Sequence, residues 1–192
     1  MGNQTRDANV DIRERNLTIA MARKSLKGLP QHPLAGGFSL RWFCPGDESL
    51  WRSIQVAADP YNHFDEGRFA REFGADTVRL QERQCFLCSP EGEAVGTATG
   101  WSGQAVAEEI ARVHWVAILP GFQGRGLSKP LLTAVCERLR ALGHERVFLT
   151  TSTARIVAIR LYLGYGFEPL VRSPGEESSW RELEPHLRGS GR

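Results

Sequence analysis

The chain has 192 residues, a formal net charge of +2 and a hydrophobic share of 41%. This suits one globular domain with its own core, and the near-neutral charge, with basic residues spread along the chain, excludes nucleic-acid binding through a basic face. No apolar run approaches the roughly 20 residues that span a bilayer, residues 1–16 are polar and carry no secretory pattern, and four cysteines are few for a disulfide scaffold, so we expect a cytoplasmic protein with reduced thiols and no membrane partner.

In chain order, residues 1–16 read as loosely attached and 17–36 as an added arm, with the apolar segment Leu17 to Met21 followed by a loop rich in glycine and proline. Together, residues 1–36 are expected to be an N-terminal extension packing on a single domain at 37–192. Alternation of Phe38, Leu40 and Trp42 predicts a first strand over 38–43. Asp47 opens a helix whose Leu50, Ile54, Ala57 and Ala58 share a face, and Asp59-Pro60 ends it. A short helix over 65–73 carries Phe69 and Phe73 on one side. Strands follow over 83–89, 94–101 and 107–119, joined by turns at Pro90-Glu91-Gly92 and Ser102-Gly103. Cys85 and Cys88 have metal-type spacing, but no second C-x-x-C and no H-x-x-x-H follows, and strand alternation puts the two thiols on opposite faces, so no metal is expected.

Past the long strand and a glycine turn, Leu127, Leu131, Val135, Leu139 and Leu142 fall on one helical face, and Gly143 sits where a helix stops. A strand over 146–150, a helix over 154–163 and a strand over 167–171 come next. Pro174-Gly175 breaks the pattern, and Ser179 with Glu182 reads as a capping box for a short helix with Trp180 and Leu183 inward. Short turns favour antiparallel hairpins early in the chain, and the later strand–helix–strand passage favours parallel pairing. The fold class expected is α+β, in α/β layers, with a mixed, mostly antiparallel central sheet flanked by helices.

The strand–glycine turn–helix unit over 113–143 points to an anion. The first turn of a helix has free N–H groups and the positive end of the macrodipole, and glycines let backbone approach a phosphate closely. Pro130 fits only within the first turn, which sets the helix N-cap no earlier than about Leu127. A P-loop fails, because Leu127 stands where the phosphate-binding lysine must be. A dinucleotide fingerprint fails, because Lys129 occupies the third glycine position.

Gln123-Gly124-Arg125-Gly126-Leu127-Ser128 does resemble the Q/R-x-x-G-x-G/A acetyl-CoA loop of the GNAT N-acetyltransferase superfamily, with Ser128 departing at the last position. Downstream, Ala158 to Phe167 resembles the superfamily's A-x-x-L-Y-x-x-x-G-F ending. An asparagine common three residues before that alanine is Arg155 here. The resemblance implies an acetyl-CoA-dependent N-acetyltransferase that moves an acetyl group directly to a primary amine, with acetyl-CoA as co-substrate. Its acceptor would be a small molecule or a peptide, and the protein a monomer or homodimer. Cofactor contacts would come from Val116 and Ile118 on the long strand, from Gln123, Gly124, Arg125, Gly126, Leu127 and Ser128 in the loop, and from Arg155. The alternative is a CoA-binding sensor or interaction domain without catalysis; a third reading is a longer acyl donor or an oxygen or sulfur acceptor.

Acetyl transfer needs a neutral amine and a protonated leaving thiolate. Tyr162 is the candidate acid, since a phenol is protonated at neutral pH and the position matches the superfamily motif; otherwise it is a core tyrosine, as Tyr165 is read to be. His114 is the candidate base, on one strand face with Val116 and Ile118 if pairing is regular. Otherwise it is structural and water takes the proton. Arg112 replaces an acidic residue frequent at its position, leaving Glu108 and Glu109 as alternatives. His63, Asp65 and Glu66 are candidate acceptor contacts or a solvated loop. Arg125 and Lys129 flank the glycine turn. The hydroxyl run 150–153 reads first as a cap for the next helix.

Overall fold

A computed structural model describes residues 10–34, 36–74, 77–102 and 111–188. In chain order the elements are β1 (Thr18–Arg23), β2 (Ser39–Trp42), α1 (Glu48–Ala58), α2 (Arg68–Phe73), β3 (Gln84–Cys88), β4 (Ala94–Ser102), β5 (Ala111–Ile118), α3 (Ser128–Ala141), β6 (Val147–Ser152), α4 (Ile156–Gly164), β7 (Glu168–Pro169) and α5 (Pro174–Leu187). Seven strands and five helices among the described residues give the expected α+β class. The chain divides into two units, Ser25–Val147 and the described residues of Met1–Lys24 with Phe148–Arg192.

In the unit Ser25–Val147, β2, β3, β4 and β5 lie side by side in that order, each pair antiparallel. Helix α3 covers one face. Leu131, Leu132, Val135, Cys136 and Leu139 are fully buried on it, a wider stripe than the spacing of the leucines alone indicates. Close approach is possible because Gly100 faces this helix. A Cβ there would sit 2.9 Å from the Leu139 Cγ and 3.3 Å from the Val135 Cγ1. The segment after β1 lies along the same helix, with the Thr133 hydroxyl donating to the Pro30 carbonyl at 3.1 Å.

The opposite face carries α1 and α2 over an aromatic core of Phe43, Trp51, Phe64, Phe69, Phe73 and Phe86. Trp51 is its centre. Its ring meets Phe64, Phe69, Phe73 and Trp115 edge-on at centroid distances of 5.8, 5.3, 5.4 and 5.9 Å. The expected face of α1 holds at Leu50, Ile54 and Ala58, with Trp51 and Gln55 buried beside them, whereas Ala57 is exposed. A buried glutamine is tolerated because its Nε2 donates to the Trp115 carbonyl at 2.9 Å.

That carbonyl belongs to an irregularity in β5. His114 pairs with Thr99 and Ala117 with Thr97, so Trp115 and Val116 together oppose Ala98. This is a β-bulge, and Trp115 has φ of 51°. The extra residue shifts the alternation. His114 therefore shares a face with Ala117, on the aromatic core, and not with Val116 and Ile118 as regular pairing required. Ile118 pairs with Gly96, which is on the α3 side together with Gly100.

In the other unit, β1 lies between β6 and β7 and pairs antiparallel with β7, Met21 opposite Pro169. The segment read as part of an arm is thus a strand. Ile19, Ala20 and Met21 are all buried, so both faces are covered, and a strand buried on both faces shows an apolar run in place of alternation. The Thr153 hydroxyl caps no helix. It donates to the Ile12 carbonyl at 2.6 Å and accepts from the Leu17 amide at 2.9 Å, fixing the entry to β1. Helix α5 starts earlier than the capping box at Ser179 implied. Ser173 is its N-cap, accepting from the Glu176 amide, and Pro174 occupies the first turn, where a missing N–H costs nothing. Trp180 and Leu183 are buried as expected.

No helix among the described residues is long and apolar enough to cross a membrane. The aromatic core yields the first prediction. Trp51→Ala should destabilise the protein by about 3–5 kcal/mol and Trp51→Phe by clearly less, read as the shift in urea midpoint.

Candidate functional site

Strand β5 runs into a 3-10 turn at Pro120–Phe122 and then the glycine loop. The Gln123 side chain folds back to donate to the Ile118 carbonyl at 2.8 Å, tying the loop to the strand end. Gly124 and Gly126 both have φ of 75°, a left-handed conformation that side chains resist, and a Cβ on either would meet open space. Helix α3 begins at Ser128 with Leu127 as N-cap and no side-chain cap, which agrees with the limit set by Pro130. Among the described residues, the amides of Gly124, Arg125, Gly126 and Leu127 meet no protein acceptor. Donors left unpaired at a helix N-terminus are the kind of group that an anion satisfies. Arg125 and Lys129 are exposed there. The Arg125 guanidinium donates to the Gly121 carbonyl at 3.0 Å and lies 5.0 Å from the Phe122 ring centroid.

His114 is 6% exposed. Its Nε2 lies 2.9 Å from Glu72 Oε2, and the same oxygen accepts from Trp115 Nε1 at 3.0 Å. Glu72 Oε1 pairs with Arg68 at 2.9 Å. Sequence reasoning missed Glu72: its i,i+4 spacing from Arg68 was a signal for that ion pair, but nothing in the sequence linked it to a residue 42 positions on. Burial would raise the Glu72 carboxyl, but hydrogen bonds from His114 and Trp115 and the charge of Arg68 outweigh it and bring the pKa down to about 2. For His114, burial lowers the pKa more than Glu72 lifts it, and the neighbouring Arg112 and Arg68 add to the lowering. The pair at neutral pH is therefore a carboxylate and a neutral imidazole. An ionised carboxylate only accepts, so Nε2 carries the proton and Nδ1 the lone pair. Arg112 is itself pushed down by burial, with Glu72 acting against the shift.

His63 and Glu66 are exposed, and Asp65 pairs with Arg71 at 2.6 Å. Glu108 and Glu109 lie outside the described residues. In the other unit, Tyr162 is 8% exposed on α4, its ring 5.8 Å from Phe167. Tyr165 is 1% exposed, as a core residue should be, and its carbonyl accepts from Arg23. Arg155 is the N-cap of α4 and donates to the Ser152 hydroxyl at 2.7 Å.

The sequence model of the acetyltransferase (GNAT) family matches residues 48–167. Among curated proteins, the mycothiol acetyltransferase of Pseudarthrobacter chlorophenolicus is 33% identical over 151 residues, covering 72% of this chain and 45% of its own length. That of Frankia casuarinae is 30% identical, covering 75% and 45%. The chain thus spans about half the length of the curated relatives it matches. Among solved structures, a GCN5-related N-acetyltransferase from Sphaerobacter thermophilus superposes with a TM-score of 0.65 at 24% identity, over 80% of this chain and 48% of that one. The ribosomal-protein-S18-alanine N-acetyltransferase of Escherichia coli gives 0.57 at 21%, over 70% and 79%. These likenesses agree with the mixed sheet flanked by helices.

The buried pair yields a pH prediction. The folded His114 pKa lies below its usual 6.5, so the stability that burial of the neutral ring contributes is present above 6.5 and lost as pH falls towards the folded value. Glu72 acts with the same sign lower down, its contribution being lost between the usual 4.5 and about 2. Urea unfolding at pH 5, 6 and 7 should show stability falling with pH, and His114→Gln should flatten that fall.

Proposed function

This chain belongs to the acetyltransferase (GNAT) family, and from that premise we propose that it is an acetyl-CoA-dependent N-acetyltransferase acting on a primary amine by direct transfer. The observation that carries the reading is the row of amides from Gly124 to Leu127, unpaired at the uncapped start of α3 within the family's glycine motif. Those residues suit a pyrophosphate: the amides are unpaired, no Cβ intrudes at either left-handed glycine, and Arg125 and Lys129 add positive charge. Val116 and Ile118 at the end of β5, Gln123, Ser128 and Arg155 complete the proposed cofactor contacts.

Bound acetyl-CoA would supply an activated thioester carbon. The remaining work falls to side chains. His114, neutral at pH 7, has a lone pair at Nδ1 to take the amine proton. The Tyr162 hydroxyl donates a proton to the departing sulfur. The curated relatives are named for mycothiol, so an amine acceptor of that class heads the panel to be assayed. The cytoplasm is the compartment proposed.

Two measurements test this. Gly126→Asp puts a negative charge among the loop amides, and Asp is among the residues that best tolerate a left-handed backbone. CoA should raise the melting temperature of the wild type and not that of a folded Gly126→Asp protein; equal stabilisation of both rejects the loop as the phosphate site. Tyr162→Phe removes only the hydroxyl. With an amine that the wild type acetylates, kcat should fall on the order of 10²–10³-fold, about 3–4 kcal/mol, at nearly constant KM for acetyl-CoA. Tyr165→Phe should keep most activity. A Tyr162→Phe enzyme with wild-type turnover removes the acid role.

A further inference from the structure

Alternation in a regular strand sends consecutive side chains to opposite faces. His114 and Trp115 are consecutive, yet both donate to one oxygen of Glu72, at 2.9 and 3.0 Å. The bulge makes this possible, because the left-handed φ of Trp115 swings its indole back to the side of His114. Gln55 holds the turned carbonyl from α1. Glu72 in turn is held by Arg68 through its other oxygen, and the Arg68 guanidinium lies 5.1 Å from the Trp115 ring centroid. One carboxylate oxygen holds both the imidazole edge and the neighbouring indole, and the other holds Arg68. Phe73 closes on the ring at 5.9 Å.

We propose that Glu72 is a positioning residue that acts through His114. It selects the Nε2–H tautomer, fixes the ring plane and so presents Nδ1 as the proton acceptor. This rests on the reading of His114 as the base. In the step, the acceptor nitrogen forms its new bond to the acetyl carbon and loses one proton to Nδ1, while the carbon–sulfur bond of the thioester breaks and CoA leaves as the thiol, taking its proton from the Tyr162 hydroxyl proposed above as the acid. The ring becomes imidazolium, and Glu72 keeps its negative charge throughout and steadies the cation across the hydrogen bond. The charged groups facing the ring are Glu72 and Arg68 from α2 and Arg112 from β5 itself. The two guanidiniums oppose the imidazolium, which makes the single carboxylate decisive for its formation.

The decisive measurement is the ¹⁵N and ¹³C spectrum of the His114 ring in the full-length protein across pH 4 to 9, which needs no acetyl transfer. The wild type should show the Nε2–H tautomer; predominance of Nδ1–H there overturns the assignment without any variant. In Glu72→Gln the ring should titrate at lower pH by about one unit or more, because the nearby anion is gone, and the tautomers should mix. An unchanged tautomer and titration overturns the role of Glu72 and leaves the base reading standing. Kinetics with the best amine of a panel, read as free thiol released from acetyl-CoA, supplies the second arm. Glu72→Gln should lower kcat on the order of 10²-fold, with KM for acetyl-CoA little changed. The double variant with His114→Gln should be no slower than His114→Gln alone, since one acts through the other. Additive losses overturn the coupling. A His114→Gln enzyme with full turnover removes the base on which the proposal stands, whatever the spectra show.

Discussion

The left-handed backbone of Trp115 is the constraint on which the unit Ser25–Val147 depends. A bulky residue at φ of 51° costs on the order of 1–3 kcal/mol and persists only where its surroundings over-determine it. Here they do. Gln55 accepts burial to hold the carbonyl, Glu72 holds the indole N–H, and Trp51 and Phe64 pack edge-on against the ring at 5.9 and 5.3 Å. Trp51 and Gln55 come from α1, Glu72 from α2 and Phe64 from the segment between these helices. The bulge therefore couples the strand's register to α1 and α2, and the same distortion turns His114 into the aromatic core.

Half-burying a carboxylate beside that core is tolerable because both of its oxygens are engaged. Two neutral donors share one oxygen and a guanidinium takes the other. The result is a charge that stays ionised well into acid and an imidazole that stays neutral. Burial and ion pairing thus act in opposite directions on the two partners, as expected when one is an anion with a cation beside it and the other is a base surrounded by further positive charge.

The two N-termini of α3 and α5 show how the same backbone problem is solved in two ways. In α5, Ser173 satisfies the first-turn amide and Glu176 reaches back to the Arg172 amide, closing the end with local groups. In α3, no side chain caps the helix and two left-handed glycines precede it. The donors are thus open at the start of α3 and closed at the start of α5.

Much of this was legible in the sequence because it is local. The spacing of Leu127, Leu131, Val135 and Leu139, the stop at Gly143 and the limit set by Pro130 depend on neighbours within a few residues, and α3 lies where they put it. The glycine motif carried the family for the same reason. The core role of Tyr165 and the inward Trp180 and Leu183 were equally readable. Tertiary structure decided the rest. Strand β1 escaped notice because it is buried on both faces and shows no alternation, and its partner β7 lies far along the chain. The cap of α5 at Ser173 was masked by a proline and glycine that read as a break. Above all, the faces of β5 were set by one extra residue opposite Ala98, and the partner of His114 by a helix 42 positions earlier. Register and long-range pairing are fixed by how helices pack on a finished sheet, and no short-range spacing along the chain encodes that.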